Sequence, residues 1–143
     1  MWVLQTDGTL VPLILRLALA VVIFPHGAQK VLGWFGGHGL SGTIKFFGSQ
    51  GVPLPLALLA IAAEFLGPLG VAVGLLTRVA AFGILCVMVV AILTVHAKVG
   101  FFMNWFGTQK GEGFEYHLLA IGIAAALVIG GAGSWSVDAL LVR

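Results

Sequence analysis

The sequence is short of charge. Twelve of its 143 residues are Lys, Arg, Asp or Glu, about a third of the share a soluble domain carries. With 60% hydrophobic residues, a water-soluble fold would have to leave large apolar patches exposed. Lipid is the solvent that this composition suits. Seven Lys and Arg against five Asp and Glu leave a formal charge of +2, with the cations scattered along the chain rather than gathered into a nucleic-acid footprint. Nucleic acid is therefore not an expected partner. Cys86 is the single cysteine, which excludes an intrachain disulfide and redox chemistry by a cysteine pair. It lies in an apolar run and reads as a small buried hydrophobe. No Lys or Arg precedes Arg16, and Arg16 interrupts what would be the apolar core of a cleaved leader, so the first segment is expected to be a retained helix. A Cys-x-x-Cys-His haem attachment, a glycine-rich phosphate loop and a nucleophile elbow are all missing.

Long apolar runs are what the sequence does have. Crossing a hydrocarbon core of about 30 Å takes roughly 20 residues in a helix. Four runs qualify, over about 11–32, 53–76, 78–99 and 115–132, the last being short. The expected fold is all-α: one domain, a polytopic four-transmembrane-helix bundle. Thr9 can cap the first helix, with Pro12 tolerated in its first turn. Pro25 predicts a bend just before His26. Residues 33–51, rich in Gly, read as a loop with an interfacial turn at Ile44-Lys45-Phe46-Phe47. Residues 100–114, with Trp105, read as an aromatic-lined loop at the membrane face, and Trp34 and Phe35 are expected at headgroup level. Only Thr77 and Arg78 separate the second and third runs, which makes those helices an antiparallel hairpin. The tail over 134–141 reads as a short capped helix at the interface, with Trp135 as an anchor. Gly70 with Gly74 and Gly122 with Ala126 form small-xxx-small pairs suited to packing inside the bundle, although a homo-oligomer could use the same surfaces.

Four spans put both termini on one side and the two longer loops on the other. Lys30, Lys45, Lys98 and Lys110 flank the loop side; Arg16, Arg78 and Arg143 flank the terminal side. With the counts so nearly tied, the positive-inside rule does not fix orientation.

Ionisable residues inside apolar spans are costly and face a bundle interior, a cavity or a partner. Glu64 lies roughly 16 Å below the loop face at about 1.5 Å per residue, near mid-membrane, and His26 lies roughly 10 Å below it. Lys30 follows His26 at i+4 on the same helix face. His96 closes the third span at that face, and Glu115 and His117 open the fourth there. All four helices thus bring an ionisable group to the loop-facing half, while the other half reads as nearly all apolar. Glu64, His96 and His26 are the expected catalytic, proton-exchanging groups. Lys30, Glu115 and His117 are the expected cofactor-binding groups. No metal is expected, since no paired ligand motif appears. Axial haem ligation by these histidines lacks a diagnostic spacing, which makes haem a less favoured cofactor. A packing role, with the carboxyl merely locking helices together, is the alternative for each residue taken alone.

The order and spacing of several short pieces carry a resemblance. They are Arg16-Leu-Ala-Leu-Ala; Pro25-His-Gly-Ala-Gln-Lys30; Ala63-Glu-Phe-Leu-Gly-Pro-Leu-Gly70, leading to Gly74-Leu-Leu-Thr-Arg78; His96 before Gly100-Phe-Phe; Glu115; and Gly131-Ala-Gly-Ser-Trp-Ser-Val-Asp138. Together they resemble the DoxX family of small four-helix membrane proteins over nearly the whole chain. Pro68 departs from the pattern, where relatives often carry a small or apolar residue. The resemblance implies a multi-pass plasma-membrane protein of a bacterium or archaeon, of a kind described as an oxidoreductase component. Some relatives are associated with thiosulfate oxidation coupled to quinone, or with membrane complexes handling oxidative and thiol stress. It carries over His26, Lys30, Glu64, His96 and Glu115 as the family-like polar positions. The leading expectation is a membrane subunit of an oxidoreductase system that binds a quinone-like molecule and assists proton transfer, with redox-protein partners in the bilayer. The rivals are a non-enzymatic scaffold or accessory subunit, and a small-solute transporter.

Overall fold

The computed structural model of the chain describes Val3 and residues 8–142. Four long helices pack side by side: α1 (Val11–Val31), α3 (Leu54–Val73), α4 (Thr77–Thr94) and α5 (Glu115–Gly130). Two shorter ones complete the set, α2 (Gly39–Ser49) between α1 and α3, and α6 (Val137–Leu141) after α5. Single 3-10 turns cover Trp34–Gly36 and His96–Lys98. α1 packs chiefly on α3, α3 on α4 and α4 on α5, and α5 returns to α1, closing the bundle.

Among the described residues, three stretches are long and apolar enough to cross a membrane: Val11–Val31, Leu54–Val73 and Thr77–Lys98. α5 has 16 residues, about 24 Å of helix against a core of about 30 Å. The bundle is the inverse of a water-soluble one outside: Val21, Leu93 and Ile129 are each at least 70% exposed. Its core is Leu19, Ile23, Val71, Ala81, Ile84, Met88, Ala120, Ala124 and Leu127.

Small residues set how closely the helices approach. A Cβ on Gly27 of α1 would sit 2.0 Å from the backbone oxygen of Glu64 on α3, so the two backbones touch there. Gly67 backs onto Ile84, and Gly83 onto Ala63, along the α3–α4 seam. Gly70 packs near Ala80, inside the bundle, whereas Gly74 (φ 73°) ends α3 in the left-handed conformation that favours glycine. Gly122 and Ala126 lie on the outer surface, and a Cβ on Gly122 would meet nothing within 4 Å. That expected packing pair has no counterpart within the chain.

Several local expectations need correction. Residues 39–49 form an 11-residue helix, not a loop with a turn. Their glycines hide a pattern that buries Thr43, whose hydroxyl donates to the Lys30 carbonyl at 3.0 Å and ties α2 to the end of α1. Leu10, not Thr9, stands at the N-cap of α1, without a side-chain cap. Cys86 is exposed on the outer face of α4, because a helix apolar all round gives no period to say which side faces in.

The largest correction concerns the end opposite the loops. Arg16 and Arg78 do not flank the spans as solvated charges; they are buried, at 0% and 6% exposure. Arg16 donates to the carbonyls of Val71 (3.4 Å), Ala72 (3.2 Å) and Trp135 (2.5 Å). Arg78 donates to the carbonyls of Val128 and Ile129. Each guanidinium therefore satisfies carbonyls at another helix's C-terminus, where a cation also meets the negative end of the helix dipole. Asp138, 1% exposed, accepts from the backbone N–H groups of Leu76 (2.7 Å) and Thr77 (2.9 Å), capping α4 from a distant part of the chain. Ser136 caps α6 through Ala139 N–H at 3.1 Å, as expected of the tail. The terminal half is thus apolar in its core but closed by a polar seam. Arg143 of the charge tally lies outside the described residues.

Candidate functional site

α1 and α3 meet at Gly27, and this close approach brings their ionisable side chains within reach of each other. Lys30, one turn beyond Gly27, forms an ion pair with Glu64. The Glu64 side chain is 7% exposed and that of Lys30 is 29% exposed. A lone carboxylate at this depth would be expensive, and the pair removes much of that cost.

The pair forms one wall of a cavity of about 270 Å³ in the loop-facing half of the bundle. His26 adds to that wall from α1; Met88, Ala91 and His96 line it from the α4 side; Tyr116 and His117 line it from α5. Met103 and Glu112, from the loop between, cover the mouth. The rings are in series. His96 and His117 have centroids 4.0 Å apart, His117 and Tyr116 5.2 Å, and Tyr116 and His26 6.1 Å. Among the described residues, the Tyr116 hydroxyl and the His117 Nδ1 are buried and make no hydrogen bond. Orphaned polar atoms of this kind call for an explanation, and their position on a cavity wall offers one: a ligand or water that accepts and donates there. His96 is oriented from outside, its Nδ1 lying 2.8 Å from the Glu112 carbonyl. A carbonyl can only accept, so Nδ1 carries the hydrogen, and in the neutral ring Nε2 holds the lone pair.

Five of the six residues singled out from the sequence come together here: Glu64, His26, His96, Lys30 and His117. Glu115 does not line the cavity. Its carboxylate accepts from Met103 N–H (2.9 Å) and Trp105 Nε1–H (2.8 Å), holding the loop over 100–114 in place. Glu112 does the same for Asn104 N–H at 2.8 Å. Sequence reasoning missed Tyr116, Glu112, Met88 and Met103. Tyr116 had a signal, being the chain's one tyrosine and adjacent to His117. Among the described residues, no three His, Cys, Asp or Glu side chains converge as a metal would require.

Because Glu115 works on the loop, Glu115→Ala is expected to loosen it without unfolding the bundle. Of these hydrogen bonds the one to Trp105 is exposed and the one to Met103 only part-buried, so the stability loss should stay near 1 kcal/mol. Limited proteolysis in detergent should cut within 100–114 at least tenfold faster, while the thermal midpoint hardly moves. Unchanged cleavage would show that the loop is held by other contacts.

The DoxX family model matches residues 11–97, which span α1 to the His96 turn and include His26, Lys30, Glu64 and His96. A protein of Bacillus subtilis (strain 168) named "Putative oxidoreductase CatD" is 35% identical over 115 residues, covering 80% of this chain and 76% of that protein. No solved structure matches the chain.

Proposed function

The chain belongs to the DoxX family, and from that premise we propose that it is a four-span plasma-membrane subunit of an oxidoreductase system, seating a quinone-like ring between Glu64 and His96. Membrane helices and kinship to a protein named as an oxidoreductase support a redox-linked role in the bilayer. The observation that carries the finer reading is the cavity itself. One ion pair, three histidines and a tyrosine line a single space in the loop-facing half.

Size supports a headgroup rather than a whole lipid. About 270 Å³ falls just below the usual range for drug-sized ligands, roughly 300–1,000 Å³. An isoprenoid tail would have to lie outside, along the exposed apolar faces. The polar walls suit a flat ring with opposed oxygens. On this reading Lys30 and the Tyr116 hydroxyl donate to one oxygen, and His96 and His117 exchange protons with the other. A quinone supplies two-electron, two-proton chemistry when bound, and the electrons come from a partner protein or a second substrate. The chain's own residues bind, orient and move protons. The fourth span is α5, whose shortfall in length is met by Phe114 and residues 131–133 or by local thinning of the bilayer.

The test is quinone binding to the purified chain. A short-tailed ubiquinone analogue should bind the wild type, and Glu64→Gln, which unbalances Lys30, should bind it at least tenfold more weakly. Binding unaffected by the substitution, or none in either protein, would sink the reading.

One observation favours the second reading, an accessory subunit. Of the three long apolar helices, α4 is the least buried, leaving a broad apolar face for a neighbouring membrane protein. On that reading Glu64→Gln changes which proteins copurify and leaves turnover of the assembled complex intact.

A further inference from the structure

Between the Lys30–Glu64 pair and the polar seam of Arg16, Arg78 and Asp138 at the terminal end, the core of the described residues is apolar. Leu19, Ile23, Val71, Ile84 and Leu127 are each at most 2% exposed and fill that half. On the other side of Glu64 the situation is reversed. His96 sits at the partly open mouth, with Nε2 free to accept a proton because Nδ1–H is held on the Glu112 carbonyl. The His117 ring lies tilted against it, with centroids 4.0 Å apart, and His117 is 7% exposed. Tyr116 follows, its hydroxyl buried and without a hydrogen bond, and His26 lies next to it beside the Lys30–Glu64 pair. Each neighbouring pair of rings is close enough for a side-chain rotation or a single water to complete a hydrogen bond.

We propose that His117 and Tyr116 are the inner links of a one-sided proton relay, running from loop-side water at His96 to His26 and the Lys30–Glu64 pair, and ending there. Tyr116 acts as the joint between the α5 rings and the α1 wall. A proton arriving on a His117 ring nitrogen is matched by one leaving it. The Tyr116 oxygen takes a hydrogen from one side and gives its own to the other. Each link thus returns to its starting charge, and no electron moves. The groups facing this string are Lys30 and His26 on α1, Glu64 on α3, His96 after α4 and Glu112 from the loop. The relay needs no bound quinone and holds whichever redox partner the site takes, so it stands apart from the quinone reading.

Its test uses the full chain labelled with 15N-histidine in detergent micelles, reading ring N–H exchange with water at His26, His96 and His117. In Tyr116→Phe, which keeps the ring and removes the joint, exchange at His26 should slow at least tenfold while His96 stays at its wild-type rate. His96→Gln, at the mouth, should slow exchange at His117 by a similar factor and keeps the relay falsifiable should Tyr116→Phe fail to fold. Liposomes holding the wild type should keep an imposed pH gradient as long as empty ones, because the relay ends at Glu64. Wild-type exchange at His26 in Tyr116→Phe would show that water reaches it directly and overturn the relay. A gradient that collapses in the wild type but persists in His96→Gln would overturn its dead end. A failed quinone titration would touch neither result.

Discussion

Gly27→Ala should destabilise the bundle strongly, and it should do so at the site. The added Cβ would lie 2.0 Å from the Glu64 carbonyl oxygen and 2.5 Å from its carbon. Both are backbone atoms, so no side chain can turn aside to make room. The helices have to part, and α3–α4 packing through Gly67 and Gly83 resists that movement. Ordinary overpacking costs about 1–3 kcal/mol, and this case belongs at or above the upper end. Separation would also pull Lys30 from Glu64, leaving two charges without each other in a low-dielectric setting. The expected result is a lowered thermal midpoint in detergent together with loss of ligand binding. Gly122→Ala is the control, because its Cβ meets nothing within 4 Å and alanine favours the helix by up to about 1 kcal/mol. A Gly27→Ala protein as stable as the Gly122→Ala control would mean that the close approach of α1 and α3 is wrong.

Asp138→Ala should have the second large effect, at the other end of the molecule. Its carboxylate is the acceptor for Leu76 and Thr77 N–H at the start of α4, and it supplies negative charge near the buried Arg16. Removing it strands two helix N–H groups and withdraws the negative charge near Arg16, which keeps its carbonyl acceptors. Leaving a buried N–H group without its acceptor costs about 1–3 kcal/mol, and here there are two. Asp138→Asn keeps one acceptor oxygen and should lose roughly half as much. The tail beyond Gly131 should then become a protease target in Asp138→Ala while the loop at 100–114 is cut at its usual rate. Arg16→Met should give the same pattern, since Arg16 holds the Trp135 carbonyl at 2.5 Å. Cleavage spread evenly over both ends would mean that Asp138 acts on the whole bundle rather than on the tail.

These two predictions differ in how far the sequence foretold them. Hydropathy located the long helices to within a few residues, and helix rise put His26, Lys30 and Glu64 in the loop-facing half. That worked because apolar length and axial depth are properties of one helix at a time. What the sequence hid depends on pairs of elements. The burial of Arg16 and Arg78 requires helix ends some fifty residues away or more, so locally they look like flanking charges. Glu115 sits at the right depth for the cavity but is claimed by Met103 and Trp105. The helix over 39–49 was masked by Gly39, Gly42 and Gly48, whose low propensity is outweighed by the anchoring of Thr43 to α1. Tyr116 gains its significance only from a hydroxyl buried in the cavity that holds the ion pair.

The cap supplied by Asp138 also sets a timetable for assembly. Thr77 and Asp138 are 61 residues apart, and at about 5–20 residues per second a ribosome needs about 3–12 s to make the stretch between them. Through that interval α3 and α4 are already available for insertion, yet the first N–H groups of α4 await their acceptor. The nascent hairpin must borrow water or translocon groups in the meantime, and the bundle locks only after its last short helix has emerged. A chain slowed or truncated within that window would present an inserted but unlatched hairpin, the form that membrane quality control is best placed to remove.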